Sequence, residues 1–246
     1  MLNQEIIGEG KVIVFLHGFL ESLEMWKSLN LKRFHFQSIL IDLPGHGKSE
    51  LLTAEISILA MAEEVEKTLS ALKIEAAAIV GHSMGGYVAL EMAKRNPKIE
   101  KVVLLNSSFW EDSEKKKSDR NRVIEVVKKN KNRFICEAIP GLFANASEHQ
   151  PFIQNLIQSA QKMSEKSVID ATSAMRDRPD SLAIAEKLGS NLKIIQGEKD
   201  QVIPMSEMIE KSKDLKADLS ILAEAAHMSH VESTRDLELI LEGFFR

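Results

Sequence analysis

Short runs of apolar residues alternate with longer amphipathic stretches along most of this 246-residue chain. The short runs mostly lack a polar alternation, which is typical of parallel strands buried on both faces of a sheet. They lie at residues 12–16, 38–41, 77–80, 102–105, 192–195 and 219–222. The longer stretches, at residues 57–72, 84–95, 205–215 and 234–245, have apolar residues three and four positions apart, as covering helices do. We therefore predict an α/β fold with a mostly parallel central sheet flanked by helices.

Residues 110–180 interrupt this alternation, because they contain helical patterns without an intervening strand. One of these patterns forms an apolar stripe of Phe152, Ile153, Leu156, Ile157, Ala160 and Met163. No Gly-, Ser- or Pro-rich linker flanks the segment, which argues against an independent domain. We predict a helical cap at residues 110–180, inserted in the second half of a core formed by residues 1–109 and 181–246.

The composition indicates which partners to expect. A net charge of −4 and an isoelectric point near 6.0 provide no basic field to gather phosphates, so we expect no nucleic-acid partner. Basic residues are dense at 115–133, but acidic residues are interspersed, as on a solvated helix face. Cys136 is the single cysteine and cannot form an internal disulfide. Residues 1–10 lack the features of a secretion signal and no membrane anchor is visible, so we expect a cytoplasmic protein.

The hexapeptide GHSMGG at residues 81–86 directly follows a predicted strand and leads into a predicted helix. A sharp turn between strand and helix forces Ser83 into a strained backbone conformation that lifts its hydroxyl above the sheet edge. The flanking glycines remove side chains that would collide there. The amide of Met84 then lies at a helix N-terminus, where unpaired N–H groups and the helix dipole favour an oxyanion.

Together with FLHGF at residues 15–19 and DLPGHGKS at residues 42–49, this hexapeptide resembles the motifs of the α/β-hydrolase family. The resemblance spans nearly the whole chain. It implies the α/β-hydrolase fold, with Ser83 as the nucleophile of a nucleophile elbow. It also implies an oxyanion hole formed by the backbone amides of Phe19 and Met84. Haloalkane dehalogenases and epoxide hydrolases of this family require an aspartate at the position of Ser83, which disfavours both activities.

The same resemblance implies a catalytic acid and a base on the loops that follow the last two predicted strands. Residues 196–204, QGEKDQVIP, resemble the family's GxxDxxxP loop, which makes Asp200 the acid and leaves Glu198 exposed. A helix cap or a solvated charge is the competing interpretation of Asp200. Two histidines compete for the base, and the family pattern of Gly-His followed by a glutamate favours His227 over His230. Ala226 stands where the family usually has glycine.

The remaining histidines of these motifs are predicted to be structural. In the family the counterpart of His17 braces the oxyanion loop, whereas His46 belongs to a glycine-rich turn after a strand. We expect His82 to pack or to form a hydrogen bond. No two histidines stand four positions apart, as they do in a zinc-binding helix, and no phosphate-binding glycine pattern is present. We therefore predict neither a metal nor an organic cofactor.

Several residues of the predicted cap are candidates for substrate contacts. Trp110, Phe143 and Met175 offer apolar surface to roof a pocket, which suits an acyl ester or another uncharged carbonyl compound. Arg176 and Arg178 are candidate clamps for a substrate carboxylate. Pairing of these arginines with neighbouring aspartates at the surface is the competing interpretation, and we favour it.

These features predict a serine hydrolase that cleaves a carboxylic ester, or a related acyl or carbon–carbon bond, of a small, largely apolar substrate. The fold alone does not determine the reaction, so two alternatives stay open. The first is a triad-dependent lyase or synthase of the menaquinone-pathway type, which would carry a basic cluster for an anionic substrate. The second is a slow-turnover ligand-binding receptor on the same fold. We predict neither a membrane partner nor a particular oligomeric state.

Overall fold

The computed structural model describes residues 1–51 and 56–246, in which seven strands form a single sheet. The strands are β1 (Gln4–Ile7), β2 (Lys11–Leu16), β3 (Phe36–Ile41), β4 (Ala77–His82), β5 (Ile99–Leu105), β6 (Leu192–Gly197) and β7 (Asp218–Leu222). Their order across the sheet is β1-β3-β2-β4-β5-β6-β7. All neighbouring pairs are parallel except β1 with β3, so the predicted mostly parallel sheet is confirmed.

All six predicted strands are present, and each is one to three residues longer than predicted. The edge strand β1 is absent from the sequence prediction, because it has only four residues and no buried apolar run. It pairs antiparallel with β3 and leaves Ile6 exposed. Its hydrogen-bonded pairing with β3, rather than its own side-chain pattern, identifies it as a strand.

Nine helices surround the sheet in the described parts of the chain. They are α1 (Ile58–Ala71), α2 (Met84–Arg95), α3 (Glu114–Ala138), α4 (Gln150–Gln161), α5 (Glu165–Arg176), α6 (Leu182–Leu188), α7 (Met205–Ser212), α8 (Ser229–Glu232) and α9 (Thr234–Phe245). Short 3-10 helices cover Leu23–Ser28, Leu31–Arg33, Pro140–Leu142, Ala146–His149 and Gly189–Asn191. None of the described helices is long and apolar enough to cross a membrane.

Both faces of the sheet are buried, which explains why the strands lack polar alternation. On β2, Val14 and Leu16 point into an apolar cluster shared with α1 and α2. Ile13 and Phe15, on the opposite face, join a second cluster with the 3-10 helix Leu23–Ser28 and α9. Successive strand residues point to opposite faces, so a sheet with two covered faces requires apolar residues at consecutive positions.

The ends of the covering helices follow local signals only in part. The Ser57 hydroxyl accepts a hydrogen bond from the backbone N–H of Ala60 at 3.1 Å and caps α1. Proline suits the first turn of a helix because it has no N–H to leave unpaired, but Pro204 precedes α7 as the N-cap residue, with φ −59° and ψ 136°. The helix also ends at Ser212, short of the predicted residue 215.

Residues 110–180, hereafter the cap segment, contain α3, α4 and α5 and no strand. The predicted apolar stripe lies on α4, except for Met163 just after it, and packs in a third cluster with residues of α3 and α5. Leu20 and Met228 from the core also belong to this cluster. The basic stretch at 115–133 is mostly exposed, and three of its residues pair with acids three positions away on α3. The boundaries of the cap stay a prediction.

Candidate active site

The chain turns sharply at Ser83, between β4 and α2. Ser83 has a φ of 48° and a ψ of −115°, a backbone conformation that residues other than glycine rarely adopt. The turn brings α2 so close to β2 that a Cβ on Gly85 would lie 2.2 Å from the carbonyl oxygen of Leu16. Glycine is therefore required at position 85, and the strained turn leaves Ser83 partly exposed at the sheet edge.

Polar side chains from three parallel strands meet at this edge. Ser83 follows β4, Asp200 follows β6 and His227 follows β7, and the carboxyl ends of parallel strands lie together. The Nε2 atom of His227 lies 3.0 Å from Ser83 Oγ, and its Nδ1 atom lies 2.8 Å from Asp200 Oδ2. In this arrangement the imidazole can take the hydroxyl proton while the carboxylate fixes the tautomer.

The carboxylate of Asp200 is buried and accepts four further hydrogen bonds. Oδ2 accepts from Asn106 Nδ2 at 2.9 Å and from Gln196 Nε2 at 3.0 Å. Oδ1 accepts from the backbone N–H groups of Val202 and Ile203. Burial opposes ionisation, but the charge of His227 and these hydrogen bonds outweigh it and lower the pKa of Asp200 to about 2. Asp200 is therefore an anion at neutral pH.

The sequence prediction missed Asn106 and Gln196. Asn106 directly follows β5, and its φ is 45°, so it is also held in a left-handed conformation. Its amide donates a second hydrogen bond, to the carbonyl oxygen of Ala226, at 3.0 Å. The sequence signal that could have identified Asn106 is its position as the first polar residue after an apolar strand. That position lies at the sheet edge where the other site residues lie.

The two predicted oxyanion donors are the next part of the candidate site. Within residues 1–51 and 56–246, the backbone N–H groups of Phe19 and Met84 appear in no hydrogen bond between protein groups. Met84 is the first residue of α2, where the helix dipole adds to the attraction for an anion. Leu20, next to Phe19, has a φ of 64°, which is strained for a leucine. The strain and the available N–H groups occur together at the candidate site.

The hydrogen bonds of His17 and His46 go to backbone groups of the loops at residues 18 and 43–44. His17 Nδ1 donates to the carbonyl oxygen of Gly18 at 2.7 Å, while its Nε2 accepts from the N–H of Leu43 at 2.9 Å. His46 Nδ1 donates to the carbonyl oxygen of Pro44. Burial lowers the pKa of both imidazoles, to about 3 for His46, so both are neutral at physiological pH.

His82 and His230 are both fully buried, so His230 does not lie at the surface. Their rings are 5.3 Å apart, and burial lowers the pKa of His230 to about 3. Glu21, which the sequence analysis did not single out, joins them, and the three residues bring possible metal-binding atoms within 4.8 Å of one another. The Oε2 atom of Glu21 already accepts two hydrogen bonds from the protein, one of them from His82.

The four predicted substrate contacts are dispersed. Phe143 is buried in the third cluster and Met175 in the first, while Trp110 is partly buried and packs against the first cluster. The guanidinium of Arg176 pairs with Asp177 and Asn121 at the surface. Contact of these four residues with substrate stays a prediction.

The predicted pairing with a neighbouring aspartate at the surface is wrong for Arg178. Its buried guanidinium pairs with Asp112 at 2.7 Å and lies 3.9 Å from the ring centroid of Tyr87. It also donates to the carbonyl oxygens of Trp110 and Met175. The contact with Tyr87 joins the cap segment to the core, and the hydrogen bonds occupy both terminal NH2 groups of the guanidinium.

The loop that carries His227 is tied directly to the cap segment. The backbone N–H of His227 donates to the carbonyl oxygen of Leu142 at 3.0 Å. The carboxylate of Glu232 accepts from the N–H of Ala144 at 2.6 Å and from the N–H of Ala226 at 2.9 Å. The position of His227 is therefore linked to that of residues 142–144.

Comparisons with known proteins find chains of similar fold and sequence. The structure resembles that of a thermophilic esterase of Thermogutta terrifontis, with a TM-score of 0.90 and 26% identity over 100% of this chain and 93% of the other. Over 112 residues, 44% of this chain and 42% of the relative, it is 36% identical to the pimeloyl-acyl-carrier-protein methyl ester esterase of Nitrosospira multiformis.

A third relative is the dihydrolipoyllysine-residue acetyltransferase component of the acetoin cleaving system of Cupriavidus necator. The identity is 26% over 246 residues, 96% of this chain, and the chain spans 63% of that relative's length. Residues 11–134, half of the chain, match the family model described as the alpha/beta hydrolase fold. This match and the sheet with its strained serine turn show that the chain belongs to the α/β-hydrolase family.

Proposed function

We propose that this protein is a serine hydrolase that cleaves carboxylic esters of small, largely apolar substrates. The observation that carries the proposal is the continuous hydrogen-bonded series from Ser83 Oγ through the imidazole of His227 to the carboxylate of Asp200, at 3.0 and 2.8 Å. Nucleophile, base and orienting acid are thereby within reach of one another without any rearrangement.

The reaction follows from these positions. Ser83 Oγ attacks the ester carbonyl carbon as its proton passes to Nε2 of His227, and the N–H groups of Phe19 and Met84 stabilise the negative oxygen. His227 then gives the proton to the leaving alcohol, and an acyl-enzyme remains. Water attacks the acyl carbon while His227 takes one of its protons, and the return of that proton to Ser83 Oγ releases the acid.

Apolar packing around the site supports an apolar acyl group. Leu20, beside the oxyanion loop, and Met228, beside the base, both belong to the cluster formed by the cap segment, and Phe19 packs against it. A substrate carbonyl held by the N–H groups would therefore lie against apolar side chains. Two of the similar proteins are named as esterases, which agrees with this substrate class.

The lyase alternative has less support. A lyase or synthase acting on an anionic substrate would need free basic groups near Ser83. Arg178 is already paired with Asp112, and Arg176 is paired with Asp177 at the surface. The receptor alternative has no observation in its favour, because the hydroxyl and imidazole already lie at hydrogen-bonding distance.

The proposal is tested by labelling with a fluorophosphonate probe and by turnover of p-nitrophenyl esters of two to eight carbons. We expect the adduct on Ser83, located by mass spectrometry, and hydrolysis that disappears in Ser83→Ala. The control is Ser118→Ala, which removes an exposed hydroxyl from α3 and should retain full activity. An adduct elsewhere, or equal inactivity of the wild type and Ser83→Ala on the whole panel, would contradict the proposal.

A further inference from the structure

A buried carboxylate and a buried imidazole lie directly behind the candidate site. Glu21 and His82 are 3% and 1% exposed, and Glu21 Oε2 lies 2.8 Å from His82 Nδ1. His82 precedes Ser83, while Glu21 ends the turn that contains Phe19. Neither side chain has a direct part in the reaction described above.

With Glu21 ionised, the hydrogen bonds of His82 require a proton on each ring nitrogen. Nδ1 faces the carboxylate of Glu21, and Nε2 lies 2.9 Å from the carbonyl oxygen of His227. A carbonyl oxygen and an ionised carboxylate only accept hydrogen bonds, so a neutral imidazole would satisfy one of them and not both. The geometry therefore fits an imidazolium paired with a carboxylate.

The electrostatic environment favours the same ionisation. Burial opposes charge on Glu21, but the charge and hydrogen bond of His82 outweigh it and lower the pKa of Glu21 to about 2. Burial likewise opposes charge on His82, but Glu21 outweighs it and raises the pKa of His82. The other titratable groups around His82 are His17, His227, His230 and Asp200. Of these, only Asp200 contributes a fixed opposite charge at neutral pH.

The pair also holds the turn that presents an oxyanion donor. Glu21 Oε2 accepts from the N–H of Gly18 at 2.6 Å, and the N–H of Glu21 returns a hydrogen bond to the carbonyl oxygen of Gly18 at 3.3 Å. A Cβ on Gly18 would lie 2.5 Å from Glu21 Oε2 and 2.8 Å from His82 Nδ1. This close packing fixes the backbone immediately before Phe19.

We propose that Glu21 and His82 form a buried carboxylate–imidazolium pair. The pair positions the oxyanion loop, residues 18–21, and the loop that carries His227 around Ser83. One end of the pair holds the N–H of Gly18 and the other holds the carbonyl oxygen of His227. The two residues touch no substrate and are positioning residues. The inference rests on the proposed function, because it assigns them an effect on the same reaction.

The kinetic test compares Glu21→Gln with wild type on one p-nitrophenyl ester. Loss of the pair displaces the N–H of Phe19 and the imidazole of His227, which stabilise the transition state more than they stabilise bound substrate. We therefore expect kcat to fall about 10- to 100-fold while KM changes by less than about twofold. The double variant Glu21→Gln/His82→Gln should lose no more than Glu21→Gln alone, because residues that act as a unit are not additive.

Glu238→Gln is a matched control. Glu238 is also buried, at 5% exposed, and its carboxylate also accepts hydrogen bonds from one backbone N–H, of Asn30, and one cationic side chain, Arg33. Arg235 lies farther away, at 3.8 Å. It lies on α9, outside the described site, so its variant should lose stability but keep kcat. A kcat of Glu21→Gln within about twofold of wild type, or an equal loss in Glu238→Gln, overturns the proposal.

A spectroscopic measurement separates this inference from the proposed function. In ¹⁵N NMR of the wild type, both ring nitrogens of His82 should be protonated at about pH 8, where an ordinary imidazole is neutral. Glu21→Gln should abolish this signature and shift the Gly18 amide proton. A singly protonated His82 overturns the proposal even in an active enzyme. A wild type that neither labels nor turns over refutes the proposed function, and the NMR result then decides whether the pair exists.

Discussion

Replacement of Asp200 by asparagine tests the proposed role of this carboxylate in both activity and stability. The two oxygens accept five hydrogen bonds, three on Oδ2 and two on Oδ1. Asparagine has one oxygen and one NH2 group, so at least two of the five donors would face another donor. The variant is nearly the same size, and the change is therefore in charge and hydrogen bonding.

The expected loss of stability follows from the ionisation of Asp200. Lowering its pKa from 3.8 to about 2 stabilises the folded protein by about 2.5 kcal/mol at neutral pH. Because the folded-state pKa lies below the unfolded-state value, this stabilisation is complete above pH 4 or so and is lost as the pH falls towards about 2. Asp200→Asn should lower the unfolding free energy by about this amount at pH 7, and the difference should disappear near pH 2.

The loss of activity should be larger, because an amide at position 200 no longer stabilises the imidazolium or selects the tautomer of His227. We expect kcat for a p-nitrophenyl ester to fall by about 10,000-fold. The matched control is Glu198→Gln, which neutralises an exposed carboxylate two residues away and should retain activity. A loss below about 10-fold, or a stability difference that is the same at pH 7 and pH 2, would refute the assigned role.

Two further variants test the local geometry. Gly85→Ala places a Cβ 2.2 Å from Leu16 O and should lower the free energy of unfolding, measured in urea, by several kcal/mol. The control Gly243→Ala adds a Cβ in open space on α9 and should raise it by about 0.5–1 kcal/mol. A stable Gly85→Ala would contradict the close approach. Glu232→Gln replaces the carboxylate that accepts from the N–H groups of Ala144 and Ala226 by a side chain with one acceptor oxygen. Hydrogen exchange of the Ala144 amide should accelerate, and KM for the longer esters should rise. Unchanged exchange would show that the link does not hold the cap segment.

Much of the fold could be predicted because the relevant signals are local. Six of seven strands follow from short apolar runs, and α2 and α9 have the predicted bounds, Met84–Arg95 and Thr234–Phe245. Apolar periodicity reflects which faces of an element are buried, so it is readable from a few neighbouring residues. The strand β1 lacked such a run, and Pro204 and the end of α7 show that helix boundaries depend on more than the periodic pattern.

The candidate site was predictable to the extent that motifs mark it. The turn at Ser83 follows from the glycines around it, and the loops of Asp200 and His227 resemble those of the family. The choice between His227 and His230 rested on resemblance alone, because the two residues are only three positions apart. The structure separates them, since His227 lies 3.0 Å from Ser83 Oγ while His230 packs against His82.

The sequence by itself determined the alternation of strands and helices, the strained turn at Ser83 and the order of the candidate catalytic residues. Only the tertiary structure decided what surrounds them. Asn106 reaches Asp200 across 94 residues, Glu21 reaches His82 across 61, and His82 reaches the carbonyl oxygen of His227 across 145. Such contacts depend on which strands become neighbours in the sheet, and no local pattern of side chains encodes that arrangement.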